Sequence, residues 1–235
     1  MLITLLREAP ALIPILIPGL LLSLTIHEFA HARTAQLFGD HTARYMGRCT
    51  LNPMAHLDPM GSIMILLVGF GWAKPVPVNS NNLHPRRLGD MMVSLAGPLS
   101  NLVLGCICLL GLNILLRTHA DGLSDSFDSA PRGMTDIMAS AMLWVGIINL
   151  NLMVFNLIPL FPLDGHHILR EMLPSRNQYN FMRWQVHYGR WALLALLFGP
   201  RLLGGLANGP VPDPIGWVMG WTMYGALHLV SFGLA

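Results

Sequence analysis

Long apolar runs separated by short polar stretches set the pattern of this chain. Residues 9–26, 59–73, 91–116, 137–163 and 214–235 contain no Asp, Glu, Lys or Arg, and the run 191–212 is interrupted by Arg201 alone. A helix needs about 20 apolar residues to cross the hydrocarbon of a bilayer, so the first, third, fourth and last of the uninterrupted runs predict membrane-spanning helices. The run 59–73 is 15 residues long and holds Pro59, Gly69 and Gly71. It is too short to cross and predicts a re-entrant or interfacial segment, packed where protein or water can satisfy its backbone. Gly199-Pro200 is expected to break the run 191–212. Pro10, Pro14 and Pro18 are spaced by four and bend the start of the first helix on one side.

Between the runs, residues 42–51 and 72–79 are expected to be extended, the latter because Pro75 and Pro77 lack an N–H and disfavour helix in the residues before them. The pattern therefore predicts an all-α polytopic membrane protein of four to six transmembrane helices with short re-entrant or interfacial β segments. No internal repeat or low-complexity linker divides it. A single membrane-embedded domain over 1–235 is expected, with a core of about residues 9–173 and C-terminal helices over 177–235.

Composition sharpens this picture. Charged residues make up 11% of the 235 positions, against roughly 25% in soluble domains, and the mean hydropathy is +0.53. One buried core cannot absorb that much apolar surface, so the lipid bilayer covers much of it. The net charge of +2 forms no basic stripe, which excludes a nucleic-acid partner. Cys49, Cys106 and Cys108 are an odd number, two of them inside an apolar run, so no disulfide framework is implied. Arg33, Arg44, Arg48, Lys74, Arg86 and Arg87, and later Arg170, Arg176, Arg183 and Arg190, fall in loops on one side of the spans. The loop on the other side holds Asp121, Asp125, Asp128 and Asp136 against Arg132. Basic loops stay in the cytoplasm, so the end of the first span and the exit of the 137–163 span both face it.

The candidate chemistry sits at those two places. His27-Glu28-Phe29-Ala30-His31 closes the first span. Two imidazoles four residues apart lie one above the other on a helix and can hold a single ion, while the intervening glutamate is placed as a general base. At the end of the fourth run, residues 156–165 read NLIPLFPLDG. Pro159 and Pro162 stop the helix and deliver Asp164 at depth on irregular backbone. A carboxylate there costs on the order of 2.5 to 3.5 kcal/mol by insertion scales, so Asp164 and Glu28 together call for a cation. One zinc ion per chain meets that need: His27, His31 and Asp164 supply three protein ligands and leave the fourth position open, the ligand count of a catalytic site.

HEFAH, then SLAGPLSN (residues 94–101), then NLIPLFPLDG resemble the site-2 protease family of intramembrane zinc metalloproteases. LNPMAHLDPMG (51–61) and GWAKPVPVN (71–79) further resemble its short prokaryotic branch, which has neither PDZ nor CBS domain. The resemblance spans roughly residues 20–170. It implies an intramembrane endopeptidase in a prokaryotic cytoplasmic membrane, acting on transmembrane protein or peptide substrates and open to the cytoplasmic side. It again implies His27, His31 and Asp164 as zinc ligands and Glu28 as base. It also implies that Asn156 contacts the substrate or the developing oxyanion, with Asn151 in a lesser role. The competing reading is a catalytically silent zinc-binding protein that holds transmembrane partners. A metal transporter would want polar ligands spread over several spans and an internal repeat, and neither is present.

One departure stands out: many relatives have a second glycine where this chain has His166. His166 is not expected to ligate, since a fourth protein ligand would close the site. Asn101 is expected to make an interhelical hydrogen bond, and the small residues around Gly97-Pro98 a close helix contact. His56 and Asp58, set among Pro53, Pro59 and Gly61, are read as turn chemistry.

Overall fold

The computed structural model describes residues 12–68, 71–118, 133–207 and 213–231. Asp121, Asp125, Asp128 and Arg132, which carry the outer-loop part of the orientation reading, lie outside these, as do Pro10 and Gly69. Helix α1 (Ile13–Leu37) carries Pro14 in its first turn and Pro18 inside it. A four-residue helix α2 (Thr42–Tyr45) and a ten-residue helix α3 (Pro59–Val68) follow. Then come the 33-residue α4 (Arg86–Thr118) and α5 (Met134–Asn156). The C-terminal part runs through α6 (Asp164–Met172), α7 (Ser175–Trp184), a π-helical turn at Gln185–Gly189, α8 (Arg190–Ala207) and α9 (Pro214–Ser231).

Among the described residues three helices, α1, α4 and α5, are long and apolar enough to cross a membrane. At 1.5 Å per residue α3 is about 15 Å long, half of what a crossing requires. Helix α4 is central: it packs against α1, α5 and α6, while α9 lies against both α4 and α5. The exposed face of α4 shows why the assembly belongs in lipid. Leu99, Val103, Ile107, Leu110 and Ile114 recur at helical spacing and all face outward, whereas its buried positions include Ser94, Gly97, Asn101, Gly105 and Asn113. A helix that turns a continuous apolar stripe outward and buries its asparagines is solvated by hydrocarbon.

Close approach is built from small residues. A Cβ on Gly19 would lie 2.7 Å from Val145 Cγ2, so the Val145 side chain packs straight onto the backbone of α1, and one on Gly105 would lie 3.3 Å from the Gly146 carbonyl, so α4 meets α5 nearly backbone to backbone. Leu109, Leu112, Ala139, Leu143, Ile147, Ala226 and Val230 form the apolar core where α4, α5 and α9 meet. Ala35, Leu83 and Val93 form a smaller one under the end of α1.

The expected β segments do not form a sheet among the described residues. Residues 42–45 are helical, and Asp40 accepts from the Thr42 amide (3.1 Å) and hydroxyl (2.5 Å), which satisfies one of the orphan donors of the first helical turn. Residues 72–79 contain no helix, as their prolines require, but they hold only an isolated antiparallel bridge, Leu57 with Ala73. The Lys74 amide donates to the His56 carbonyl (2.8 Å).

Candidate metal centre

The i, i+4 spacing on α1 sets His27 and His31 edge to face, ring centroids 4.6 Å apart, with their Nε2 atoms separated by 3.0 Å. Asp164, the first residue of α6, completes the group: Oδ2 lies 3.1 Å from His27 Nε2 and Oδ1 3.3 Å from His31 Nε2. These three residues form the one group of three or more metal-ligating side chains among the described residues, with atoms all within 4.8 Å of one another. Helix α1 and the turn after α5 thus meet at one point, as residues 27, 31 and 164 were expected to do.

The hydrogen bonds behind the imidazoles fix which nitrogen carries the proton. Asn101, fully buried in α4, donates through Nδ2 to Asn149 Oδ1 (2.7 Å) and to the Ser23 carbonyl (3.3 Å). Its Oδ1 is therefore the atom that meets His27 Nδ1, at 2.5 Å, and an amide oxygen can only accept. His27 Nδ1 carries hydrogen. The same reasoning applies to His31, whose Nδ1 donates to the Val93 carbonyl (2.7 Å). Asn149 in turn donates to Ser23 Oγ and the Val145 carbonyl, and Ser23 Oγ to the Gly19 carbonyl. Every member of this buried chain is satisfied, as polar groups inside a membrane protein must be.

With both Nδ1 atoms donating, the neutral form of each imidazole presents its Nε2 lone pair, and the two point toward each other and toward a carboxylate. Asp164 Oδ2 is buried without a hydrogen-bond partner. Three acceptors converging with no donor among them repel unless a cation lies between them, and two imidazoles with a carboxylate are a donor set that suits zinc. The outer hydrogen bonds on Nδ1 are the supports that metal-bound histidines use. Gly97 leaves the space: a Cβ there would stand 2.5 Å from His31 Nε2 and 2.6 Å from His27 Nε2. Sequence reading assigned Gly97 to helix packing; the surface it packs against is the pair of imidazoles.

Glu28 is buried, and its Oε2 accepts from the Val76 amide at 2.9 Å. Because residues 75 and 77 are prolines, Val76 is the residue between them with an N–H to give. Asn156 and Asn151 are not brought into the group. Asn156 donates back to the Leu152 carbonyl of its own helix (2.9 Å), and Asn151 accepts from the Thr222 hydroxyl of α9 (2.5 Å). His166 is buried, its Nδ1 meets the Leu163 carbonyl, and it does not join the three ligating side chains. Burial pushes the His166 and His167 imidazoles down, His167 to about 4, helped there by its neighbour. His56 Nε2 bonds to the Thr50 carbonyl and Asp58 caps the start of α3 through the Gly61 amide, which is turn chemistry.

Asn149 went unremarked in the sequence reading, and Asn101 was read as a plain interhelical bond. The available signal was their polarity inside charge-free runs, which demands a partner; which partner is a matter of how α1, α4 and α5 pack.

The family described as Peptidase family M50 matches residues 15–198 of the chain. A protein of Bacillus subtilis strain 168 named "Putative zinc metalloprotease YwhC" is 44% identical over 164 residues, covering 70% of this chain and 71% of its own. One of Mycobacterium tuberculosis H37Rv named "Putative zinc metalloprotease Rip2" is 32% identical over 199 residues, covering 80% and 68%. The more distant "Zinc metalloprotease MJ0392" of Methanocaldococcus jannaschii is 25% identical over 182 residues, covering 77% of this chain and 41% of its own. No solved structure gives a significant match.

Proposed function

This chain belongs to peptidase family M50, and from that premise we propose that it is an intramembrane zinc metalloendopeptidase that cuts peptide bonds in or near the transmembrane segments of membrane proteins. The observation that carries the proposal is the convergence of His27 Nε2, His31 Nε2 and the Asp164 carboxylate on one buried point beside Glu28. Membership of a peptidase family, together with a buried base beside the ligand group, does not favour the silent zinc-binding alternative.

His27, His31 and Asp164 would hold the zinc. When bound, the ion supplies a Lewis acid for the peptide carbonyl and makes hydrolytic water available at neutral pH. Glu28 is the general base: Val76 holds Oε2, so Oε1 is the oxygen left to take a proton from the attacking water and return it to the leaving amine. A substrate helix must first unwind, because its peptide bonds are closed in its own hydrogen-bond ladder. Residues 72–79, rather than the partly helical 42–51, are the backbone that can receive it by strand addition. Asn156 ends α5, directly before the turn that delivers Asp164, and retains its role as a substrate contact in this reading.

The whole chain acts as one membrane domain. Helices α8 and α9, 18 residues each, add to the three apolar spans, with α9 standing against α4 and α5. The site opens toward the basic loops, on the cytoplasmic side of the cytoplasmic membrane. Glu28→Gln is the test. In the full chain reconstituted in vesicles, the variant should keep one zinc and lose cleavage of a transmembrane reporter by at least about 10²-fold. A Gln variant that still cuts at the parental rate would defeat the assignment.

A further inference from the structure

The aspartate that joins the two histidines lacks the kind of support they enjoy. No hydrogen bond fixes its Oδ2, and helix α6, which it begins, has no side-chain cap. The position of its carboxylate is therefore set by the backbone of the turn 157–163 that precedes it. Within this turn the Ile158, Leu160 and Leu163 amides find backbone carbonyls, while Pro159 and Pro162 have no amide to offer. Among the groups that remain are the Pro159 carbonyl and the Phe161 amide. Both are taken by one side chain from more than twenty residues away: Gln185 Nε2 donates to the Pro159 carbonyl (2.7 Å) and Gln185 Oε1 accepts from the Phe161 amide (2.9 Å).

Gln185 is 1% exposed and opens the five-residue π-helical turn between α7 and α8. Such turns are uncommon and recur at functional sites. Its other end, Gly189, closes over the same amide: a Cβ there would lie 2.6 Å from Gln185 Oε1 and 3.0 Å from Phe161 Cβ. The Arg190 guanidinium then sits over the Phe161 ring, 5.2 Å from its centroid. Two residues of the widened turn and the first residue of α8 thus grip Phe161, three positions before Asp164. On the far side of Asp164, a Cβ on Gly165 would collide with the carbonyls of Leu157 and Ile158, so any shift in the turn carries the start of α6 with it.

We infer that Gln185 is a positioning residue for the metal centre: its side-chain amide splints the turn 157–163 and so holds the Asp164 carboxylate against His27 and His31. This rests on the zinc peptidase reading above. The Asn101 amide orients one imidazole from the helix side, and the Gln185 amide does the corresponding work for the carboxylate through the backbone.

The test is zinc affinity of the full chain in detergent, measured by competition with a chelator, together with the visible spectrum of the cobalt(II)-loaded protein. Gln185→Met keeps the volume and removes both bonds. It should weaken zinc by roughly 10- to 100-fold, the usual effect of losing a support behind a metal ligand, and move the cobalt spectrum toward that of Asp164→Ala. Gln185→Glu keeps the acceptor for Phe161 and loses the donor to Pro159, and should fall between the parent and the Met variant. It also serves as the reporter should the Met variant not fold. Folded variants with parental zinc affinity and an unshifted cobalt spectrum would overturn the inference, even if their unfolding temperature drops, because a merely structural bond predicts that outcome. A parent chain that binds no zinc, or whose affinity is indifferent to Asp164→Ala, would instead overturn the peptidase reading beneath it.

Discussion

The histidine half and the aspartate half of the metal centre reach the same point by opposite means. His27 and His31 stand on a rigid spanning helix, and each imidazole is gripped directly on its outer nitrogen, by Asn101 and by the Val93 carbonyl. Asp164 stands at the mouth of a nine-residue helix after a proline-broken turn, and what grips it is backbone, held from Gln185 and from the docking of α6 on α4. The difference separates two ways to build a ligand. Regular helix sets the spacing of a pair of side chains by periodicity and leaves only their rings to be held, whereas a single ligand delivered from an irregular turn needs its backbone splinted from elsewhere in the chain.

Substitutions that disturb one half and spare the other can break this comparison, and the largest effect is expected at Gly97. Gly97→Ala puts a methyl group where the Nε2 atoms converge, and zinc affinity, measured on the purified protein by competition with a chelator, should fall to about a hundredth of the parental value or below. On the aspartate side, Arg170 of α6 pairs with Asp90 of α4 and with Glu171, and Ser80 donates to Asp90. Asp90→Ala leaves the mostly buried guanidinium short of a partner and should cost about 3 kcal/mol in thermal or denaturant unfolding. If α6 docking alone held Asp164, zinc affinity would fall in step. With the turn splinted independently, affinity per folded chain should drop much less than stability.

A finer contrast lies within the histidine half. Asn101→Leu removes the acceptor behind His27 and should weaken zinc by roughly 10- to 100-fold. Asn101→Asp keeps an acceptor at that position while losing the donations to Asn149 and Ser23, and should recover part of the loss. Equal affinities for the two would mean that the hydrogen bond on Nδ1 contributes nothing.

The smallest effect concerns Asp40, just beyond the end of α1. Burial would raise its carboxyl, but donors from Thr42, the Asn79 amide and Asn82 outweigh that and hold it below the usual carboxylate range. A group whose pKa is lower folded than unfolded adds stability above its unfolded value near 3.9 and loses it as pH falls through the folded one. Unfolding of the parent chain should therefore grow easier over that acid window, and Asp40→Asn should flatten this dependence. An unchanged acid profile in the variant would show that the carboxylate is not what ties the loop 79–82 to α1.

Much of the metal group was legible in the sequence, for a physical reason. HEFAH carries its geometry in a fixed helical rise, and a carboxylate inside an apolar run announces that something must neutralise it. The three apolar spans were legible by length. What was not legible came from packing between distant segments. The run 91–116 says that Asn101 needs an interhelical partner but not that the partner is His27, and nothing near Gln185 says that its amide reaches Pro159 and Phe161. The extended reading of 42–51 missed the local competition won by Asp40, whose side chain starts a helical turn. Residues 72–79 had their conformation written in two prolines, but not their contact, the Val76 amide on Glu28. Asn156, placed at the centre by resemblance, bonds to its own helix, so its contribution awaits a substrate.

The most direct test of the whole arrangement is zinc stoichiometry by elemental analysis on the folded full chain and on the single variants His27→Ala, His31→Ala and Asp164→Ala. One zinc per parent chain and less than about a tenth of that in each variant is expected, because three ligands acting on one ion leave no pair sufficient by itself. Retention of a full equivalent in the Asp164 variant would contradict convergence of the two halves on a shared metal.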